Sequence, residues 1–302
     1  MSRKIKSIHR FHQDYKNFSF SDPTNTADEE YKDLTVLLDP SGNVTEEIKY
    51  DSNEEVEEKN SYEYNEQGKL LSHTLLYAIE NVTEKRVLSR NDKGLLISEM
   101  KYYGSDSGEC TKYEYNAKDN VSAIEHYDEE GQFLSREEIK YDDNGSLNER
   151  ATYDASKKLI AKTTFTPPVE NLVEEIEYDG SGKILHRTAI KFNEQGKEIS
   201  TRQTTAEGKL ISSVRNSYDE RGNLIEKIHK DFYSKTIRYE YNDKDLLITM
   251  ELFDETGMLL RKNMYEYDDD GNVTTEQTYE MDTTRGGRDK HYGMRYEYLF
   301  WE

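Results

Sequence analysis

The chain has 302 residues, of which 33% are hydrophobic and 34% are charged, and its formal net charge is −21. This acidic balance argues against binding to nucleic acid or to an anionic membrane surface, and the apolar supply is too small for a closed globule with a large core. Cys110 is the single cysteine, which excludes an intrachain disulfide. The sequence has no apolar run typical of a signal peptide or a transmembrane helix, so we expect a cytoplasmic protein without membrane insertion, with non-classical export left open.

Residues 1–33 contain no repeat and include Asp22-Pro23, which predicts an irregular N-terminal lead-in or cap. Residues 34–280 then repeat one turn phrase: an aromatic residue, Asp or Asn, two free residues, Gly, one free residue and an aliphatic residue. The phrase occurs at 64–70, 141–147, 178–184, 192–198, 218–224, 253–259 and 267–273, with some substitutions. A recurring phrase of this kind is typical of a repeat architecture.

The turn phrase predicts a hairpin connection. The side chain of Asp or Asn accepts hydrogen bonds from the backbone of the turn, and Gly takes the left-handed conformation that closes a type I turn with a bulge. Asp119 and Asp245 stand where Gly is expected, and Asp tolerates positive φ better than most residues. Successive turns are spaced 12 and 14 residues apart, so the repeating unit is a pair of hairpins and the chain should hold about 20 strands.

The segments between turns alternate as strands do. In the array that follows Gly145, Leu147, Ala151 and Tyr153 occupy even positions, which predicts that they share one face of the sheet. The predicted fold is all-β: a repetitive antiparallel β-hairpin meander of about 20 strands curled into a twisted or spiral sheet, because a flat sheet of that width is disfavoured by strand twist. Whether the sheet also closes on itself is left open.

The phrase fails in two further places. Thr166-Pro167-Pro168 predicts a seam at 166–169, since proline removes a donor from the strand ladder. Residues 281–302 abandon the repeat and predict a C-terminal cap with a loop and a closing strand. Because this segment is aromatic and basic, it supplies the candidate partner-binding residues Arg285, Arg288, Tyr292, Tyr296, Tyr298, Phe300 and Trp301.

No constellation in the sequence points to catalysis, so we expect no enzyme activity, no catalytic residue and no cofactor. His9 and His12 lie close together without accompanying cysteines, and Cys110 has no evident histidine partner. Asp268-Asp269-Asp270-Gly271 is similar to the start of a calcium loop, but Gln277 stands where the bidentate carboxylate belongs. Weak divalent-cation binding by stacked turn carboxylates is left open. The tyrosine rows are expected in the core, with stacking on sugars or peptides as the alternative.

The turn phrase resembles the YD repeats of the Rhs and teneurin-like proteins. The segments 141–147 (YDDNGSL) and 218–224 (YDERGNL) match that pattern best, and the resemblance covers roughly residues 38–280. It implies a strip of β-hairpins wound into a shell that encapsulates a toxin or forms part of a large surface protein. The arginine that often follows the glycine in that family is mostly replaced here by Lys, Asn, Ser, Gln or Met.

Charge suggests the partner. Residues 1–16 carry five bases and one acid and residues 285–302 carry four bases and three acids, so the remaining 32 bases and 58 acids give a body near −26. We expect a non-enzymatic bacterial β-repeat scaffold that binds a basic protein, in the manner of an immunity or chaperone-like factor for a toxin or effector. The alternatives are a carbohydrate-binding or carbohydrate-processing repeat protein and a structural component of a surface or injection system. Oligomerisation through the terminal strands is a further expectation.

Overall fold

A computed structural model describes residues 4–15, 27–167, 169–282 and 289–302. The described residues form 22 β-strands and no helix. The strands are β1 Ile5–Asp14, β2 Glu29–Leu38, β3 Val44–Tyr50, β4 Val56–Tyr64, β5 Leu70–Tyr77, β6 Val82–Arg90, β7 Leu96–Tyr103, β8 Gly108–Tyr115, β9 Val121–Tyr127, β10 Phe133–Tyr141, β11 Leu147–Asp154, β12 Leu159–Phe165, β13 Leu172–Asp179, β14 Ile184–Phe192, β15 Glu198–Thr205, β16 Leu210–Tyr218, β17 Leu224–Lys230, β18 Ser234–Tyr241, β19 Leu247–Phe253, β20 Leu259–Tyr267, β21 Val273–Glu280 and β22 Lys290–Phe300.

The turns between these strands have the predicted chemistry. In the turn after β10, Asp142 Oδ1 accepts the backbone N–H of Ser146, and the N–H of Gly145 donates to the carbonyl of Asp142. Gly145 has φ +87°, which a β-carbon would penalise. Asp119 takes the same left-handed conformation with φ +59°, so the prediction that Asp can replace the turn glycine is confirmed at this position.

The strands form one antiparallel sheet that closes on itself. Each strand pairs with the next along the chain, and β1 pairs with β22, for example His9 with Glu297 and Phe11 with Arg295. The all-β hairpin meander is confirmed, but the prediction of a curled or spiral sheet is wrong, because the sheet closes into a barrel. Closure satisfies the backbone donors and acceptors that two free edges would expose.

Closure depends on a strand that the turn phrase does not mark. Residues 5–14 lie in the predicted irregular lead-in, yet they form the ten-residue strand β1 between β2 and β22. At the predicted seam, β12 and β13 pair without a break from Ala161 to Phe165, and Pro168 lies outside the described residues. The division of the chain into a cap, an array and a C-terminal tail stays a prediction.

A β-bulge at each of the seven phrase turns changes which residues share a face. In the β10–β11 pair, Tyr141 is opposite Leu147 and Lys140 is opposite Glu149, so Asn148 is an extra residue. Leu147 therefore lies on the face of Tyr141, whereas Ala151 and Tyr153 lie on the other face. The prediction that Leu147, Ala151 and Tyr153 share a face is wrong, because the inserted residue reverses the alternation. We call the two sides the Tyr141 face and the Tyr153 face.

Within one hairpin pair, tyrosines close to the two ends of the barrel can therefore lie on opposite faces of the sheet. Turns that follow even-numbered strands lie at one rim with both chain termini, and we call it the termini rim. Turns that follow odd-numbered strands lie at the other rim, the far rim. Tyrosines near the termini rim, such as Tyr141, lie on the Tyr141 face. Several tyrosines near the far rim, among them Tyr50, Tyr127, Tyr153 and Tyr178, lie on the Tyr153 face.

The barrel is a single layer of strands. Within the part of the chain that the structure describes, each strand contacts only its two neighbours in the sheet. The buried hydrophobic residues are only Ala123, Ile139 and Ala151 among those described. The chain exposes 19467 Å² of surface, whereas a compact protein of 35.5 kDa exposes about 13,000 Å². Both faces of the sheet are consequently accessible over much of their area.

Candidate protein-binding surfaces

Tyrosine hydroxyl groups join neighbouring strands along the termini rim. Each of seven tyrosines near the end of an even-numbered strand donates its hydroxyl proton to the carbonyl of the first residue of the preceding strand, over 2.7 to 3.0 Å. The pairs are Tyr64–Val44, Tyr115–Leu96, Tyr141–Val121, Tyr218–Glu198, Tyr241–Leu224, Tyr267–Leu247 and Tyr298–Val273. The tyrosine of the turn phrase is therefore a structural residue here, and its hydroxyl fixes the turn against the neighbouring strand.

The triplet Tyr-Glu-Tyr lies at or near the end of five even-numbered strands and divides its side chains between the faces. The first tyrosine of each triplet is half-buried on the Tyr141 face, where burial raises the pKa of its hydroxyl, for example to about 12 at Tyr265. The glutamates between the tyrosines are exposed on the Tyr153 face, at Glu63, Glu114, Glu240, Glu266 and Glu297. The repeat thus places a row of exposed carboxylates close to the termini rim.

The predicted partner-binding tyrosines lie in β22, at the junction with β1. Tyr298 belongs to the hydroxyl series described above. Tyr296 lies beside the guanidinium of Arg10 and is half-buried, and burial raises the pKa of its hydroxyl. The ring of Tyr292 stacks on the ring of His12 with centroids 5.9 Å apart. The structure therefore brings these side chains together as part of the closing strand, and their role in partner binding stays a prediction.

The remaining predicted residues lie at or beyond the ends of β22. Phe300 is its last residue, and the backbone N–H of Trp301 donates to the carbonyl of Lys4. The ammonium of Lys6 lies 5.1 Å from the Trp301 ring, a cation–π contact across the junction. The indole nitrogen of Trp301 is buried and has no acceptor among the described residues. Arg285 and Arg288 lie outside the described residues.

An arginine ties the junction together on the Tyr153 face. The guanidinium of Arg295 in β22 donates two hydrogen bonds to Glu30 in β2, of 3.0 and 2.7 Å, and a third to Glu297. It also lies over the ring of Phe11 in β1 at 4.1 Å. This contact set spans three strands, and the paired arginine lowers the pKa of the Glu30 carboxyl. Arg295 is therefore an ionic link across the closure, from β22 to β2.

The sequence offered no metal or catalytic centre, and the described residues contain no group of three His, Cys, Asp or Glu placed to hold a metal ion. The turn carboxylates are occupied by their own turns: Asp268 accepts the backbone N–H and the side-chain amide of Asn272, which lowers its pKa. Cys110 is half-buried opposite Tyr127. His9 lies between Ser7 and Thr35 at 3.2 Å from each hydroxyl.

The most acidic part of the termini rim lies at three turns, 219–223, 242–246 and 268–272. They contain seven acids and two bases, and both bases engage neighbouring turns. Arg221 contacts Asp245 at 2.9 Å, and Lys244 donates to a backbone carbonyl of the next turn. Two glutamates of the Tyr-Glu-Tyr row, Glu240 and Glu266, are exposed close to these turns. We call the three turns and these two glutamates the acidic arc.

Two further features lie at the far rim. The turn between β17 and β18 presents Phe232, which is 96% exposed, and Tyr233, which is 69% exposed. An open pocket of about 640 Å³ lies between β9 and the β11–β12 turn, lined in part by Tyr127, Phe133 and Tyr153. Sequence reasoning did not place Phe232 or Tyr233 among the candidate partner-binding residues. The signal it passed over is an aromatic pair at positions where the phrase has polar residues.

No protein-family model and no curated protein matches the chain. Among solved structures, the crystal structure of TcdB2-TccC3-Cdc42 is 14% identical over 86% of this chain and 17% of that chain, with a TM-score of 0.40. TcdB2-TccC3 without its hypervariable C-terminal region is 14% identical over 86% of this chain and 16% of that chain, with a TM-score of 0.42. The chain thus spans about a sixth of those two.

A porin-like protein from Bacteroides uniformis ATCC 8492 is 10% identical over 98% of both chains, with a TM-score of 0.32. All three TM-scores are below 0.5, so the fold described above rests on the strands and registers of this chain alone. In the described residues we find no helix that is long and apolar enough to cross a membrane.

Proposed function

We propose that this protein is a non-enzymatic scaffold that binds a basic protein on its acidic barrel, as an immunity or chaperone-like factor does. The observation that carries the proposal is a single-layered closed sheet with a net charge of −21 and 19467 Å² of accessible surface. A protein that buries so little of itself retains a large area for a partner. Its charge steers basic partners towards it and repels anionic ones.

The acidic arc is the surface that we propose for the first contact. Its two bases, Arg221 and Lys244, are bound to neighbouring turns, so they cannot move to repel an approaching basic partner. Glu240, Glu266 and Asp269 are exposed side chains whose loss leaves the turn hydrogen bonds of Asp245 and Asp268 in place. A basic partner should therefore associate quickly, and its binding should weaken as salt rises.

Affinity purification of the tagged protein from its native host tests the proposal. We expect a basic protein that is retained at low salt and released at high salt. The triple variant Glu240→Gln, Glu266→Gln and Asp269→Asn should lose it. The matched control neutralises three exposed far-rim acids, Glu80, Asp106 and Glu255, and should retain the partner.

Two results would contradict the proposal. In the first, both triple variants lose the partner equally, which would show that binding depends on the net charge of the protein and not on the acidic arc. In the second, no protein is retained and the purified chain turns over a substrate, which would identify an enzyme.

A further inference from the structure

The β17–β18 turn projects two aromatic side chains from the far rim. Asp231 Oδ1 accepts the backbone N–H of Tyr233 at 2.9 Å, and the N–H of Asp231 donates to the carbonyl of Tyr233 at 3.1 Å. These bonds fix the tip, so the exposure of Phe232 is a property of an ordered turn. A large apolar side chain held in water in this way is typical of a contact point for another surface.

This hairpin is basic in an acidic protein. Residues 227–238 contain four bases and one acid, Asp231. The bases include Lys230 and Lys235, which directly flank the tip. We call the segment 227–238 the basic finger. Its charge and its aromatic tip together fit a pocket that is both aromatic and acidic.

The same molecule carries such a pocket. Three aromatic side chains line the open pocket of about 640 Å³, and the rings of Tyr127 and Phe133 meet edge to face at 5.8 Å. The hairpin beside it, residues 125–138, contains six acids and one base, Arg136, which is paired with Glu114 and Glu125. The β11–β12 side of the pocket adds one acid, Asp154, and one base, Lys157, so the negative charge comes from the hairpin. Glu129 and Glu130 are exposed at its tip. We call this hairpin and pocket the acidic cleft.

The finger and the cleft cannot meet within one chain. The two hairpins are eight strands apart along the sheet, roughly 38 Å at the usual strand spacing, and Tyr153 of the pocket is still six strands from β17, roughly 29 Å. Every described strand contacts only its neighbours. The terminal strands β1 and β22 are paired on both sides, so the closed barrel offers no free edge for strand addition there.

We propose that the basic finger of one copy binds the acidic cleft of a second copy. Because both features lie on the far rim, two copies that meet rim to rim about a two-fold axis form the contact twice. Such an interface is self-complementary and closes as a dimer, without leaving a finger free to extend a chain of copies. This inference does not depend on the proposed scaffold function, since it leaves the acidic arc on the opposite rim exposed.

Sedimentation velocity of the purified full chain tests the dimer. The wild type should be a dimer that dissociates on dilution and at high salt. The variant Phe232→Ser with Tyr233→Ser should be a monomer over the same concentrations. The matched control Ile79→Ser changes another exposed far-rim tip, 79% accessible, and should leave the dimer unchanged.

Charge exchange gives a sharper test. Lys230→Glu with Lys235→Glu should give a monomer, and Glu129→Lys with Glu130→Lys should give a monomer, because each alone opposes like charges at both contacts. Mixing the two variants should restore the dimer, since one contact is then wild type and the other has its charges exchanged.

A wild type that stays monomeric overturns the inference, as does a mixture of the two charge variants that stays monomeric. The inference is also overturned if the wild type is a monomer that binds phosphatidylserine vesicles and the Phe232→Ser variant does not bind them. That result would assign the basic finger to an anionic lipid surface. Circular dichroism of each variant establishes that the sheet is retained, so a monomer is not mistaken for an unfolded chain.

Discussion

Replacing the hydroxyl-bonded tyrosines of the termini rim by phenylalanine should destabilise the barrel. Tyr115, Tyr241 and Tyr267 each donate a hydrogen bond of 2.7 to 3.0 Å to the start of the strand before. A phenylalanine keeps the ring and its packing and removes only the hydroxyl. The Tyr-Glu-Tyr triplets supply the control, because Tyr113, Tyr239 and Tyr265 lie two residues earlier on the same face.

The magnitude follows from the number of bonds lost. A hydrogen bond of this kind contributes about 1 kcal/mol net. Neighbouring tyrosines of this rim are at least two strands apart, roughly 10 Å, so the effects should add. The triple outer variant should therefore lose about 3 kcal/mol, which lowers the melting temperature by about 5 °C in a chain of this size. Burial raises the pKa of the inner hydroxyls of Tyr113, Tyr239 and Tyr265, and none of the three hydroxyls takes part in a side-chain hydrogen bond that shifts its pKa. The triple inner variant, with these three tyrosines replaced by phenylalanine, should therefore lose less than about 0.5 kcal/mol.

Thermal unfolding followed by circular dichroism separates the two variants. Equal melting temperatures for the outer and inner triple variants would refute the reasoning, because the rim would then not depend on the hydroxyl-to-carbonyl bonds. A large loss in the inner variant with none in the outer one would show that buried ring area, and not hydrogen bonding, holds the rim.

The turns, the alkaline limit and the closure give three further predictions. Gly145→Ala should lower the free energy of unfolding in urea by about 1 to 2 kcal/mol, because the position has φ +87° and the open space around it leaves backbone strain as the cost. Lys157→Gly, at φ +63°, should raise the free energy of unfolding for the same reason. If neither substitution changed stability, the turns would not hold these left-handed conformations. Burial raises the pKa of Tyr265 to about 12, above its value near 10 in the unfolded chain, so its contribution to stability should be full below pH 10 and fall as pH rises towards 12. Tyr265→Phe should shift this loss of stability to higher pH, measured by ellipticity alongside tyrosinate absorbance. An unchanged pH profile in the variant would count against the effect. Arg295→Met removes the link to Glu30 and should speed hydrogen exchange in β1 and β22 with little change in β10 to β12; uniform acceleration would mean that the closure is not a local feature.

The turn phrase carries most of the fold, because its chemistry is local. Asp or Asn, the left-handed residue and the strand-ending tyrosine lie within seven residues of each other, so the hairpins can be predicted from sequence. Closure could not be predicted in this way. It requires β1, which has no phrase, to pair with a strand nearly 290 residues later, and it depends on the accumulated twist of the whole sheet.

The faces and the candidate surfaces show the same limit. The glycine of the phrase predicts a bulge, but counting the alternation from that glycine leaves out the extra residue, such as Asn148, which moves the following side chains of that strand to the other face. The aromatic C-terminus was expected as a binding segment, and in the structure its tyrosines pack along the closing strand. Phe232 could not be identified as exposed from its neighbours, because an aromatic residue near a turn is as often packed against the sheet as projected from it.

Hydrogen exchange of the wild-type chain, resolved to β1 and β22, tests the closed barrel most directly. In a closed sheet the amides of Ile5–Asp14 and Lys290–Phe300 bond to neighbours on both sides, so consecutive amides in both strands should be protected as they are in β10 and β11. An open sheet would leave one edge of each strand unpaired. Alternate amides of β1 and β22 exchanging as fast as those in the turns would contradict the closure.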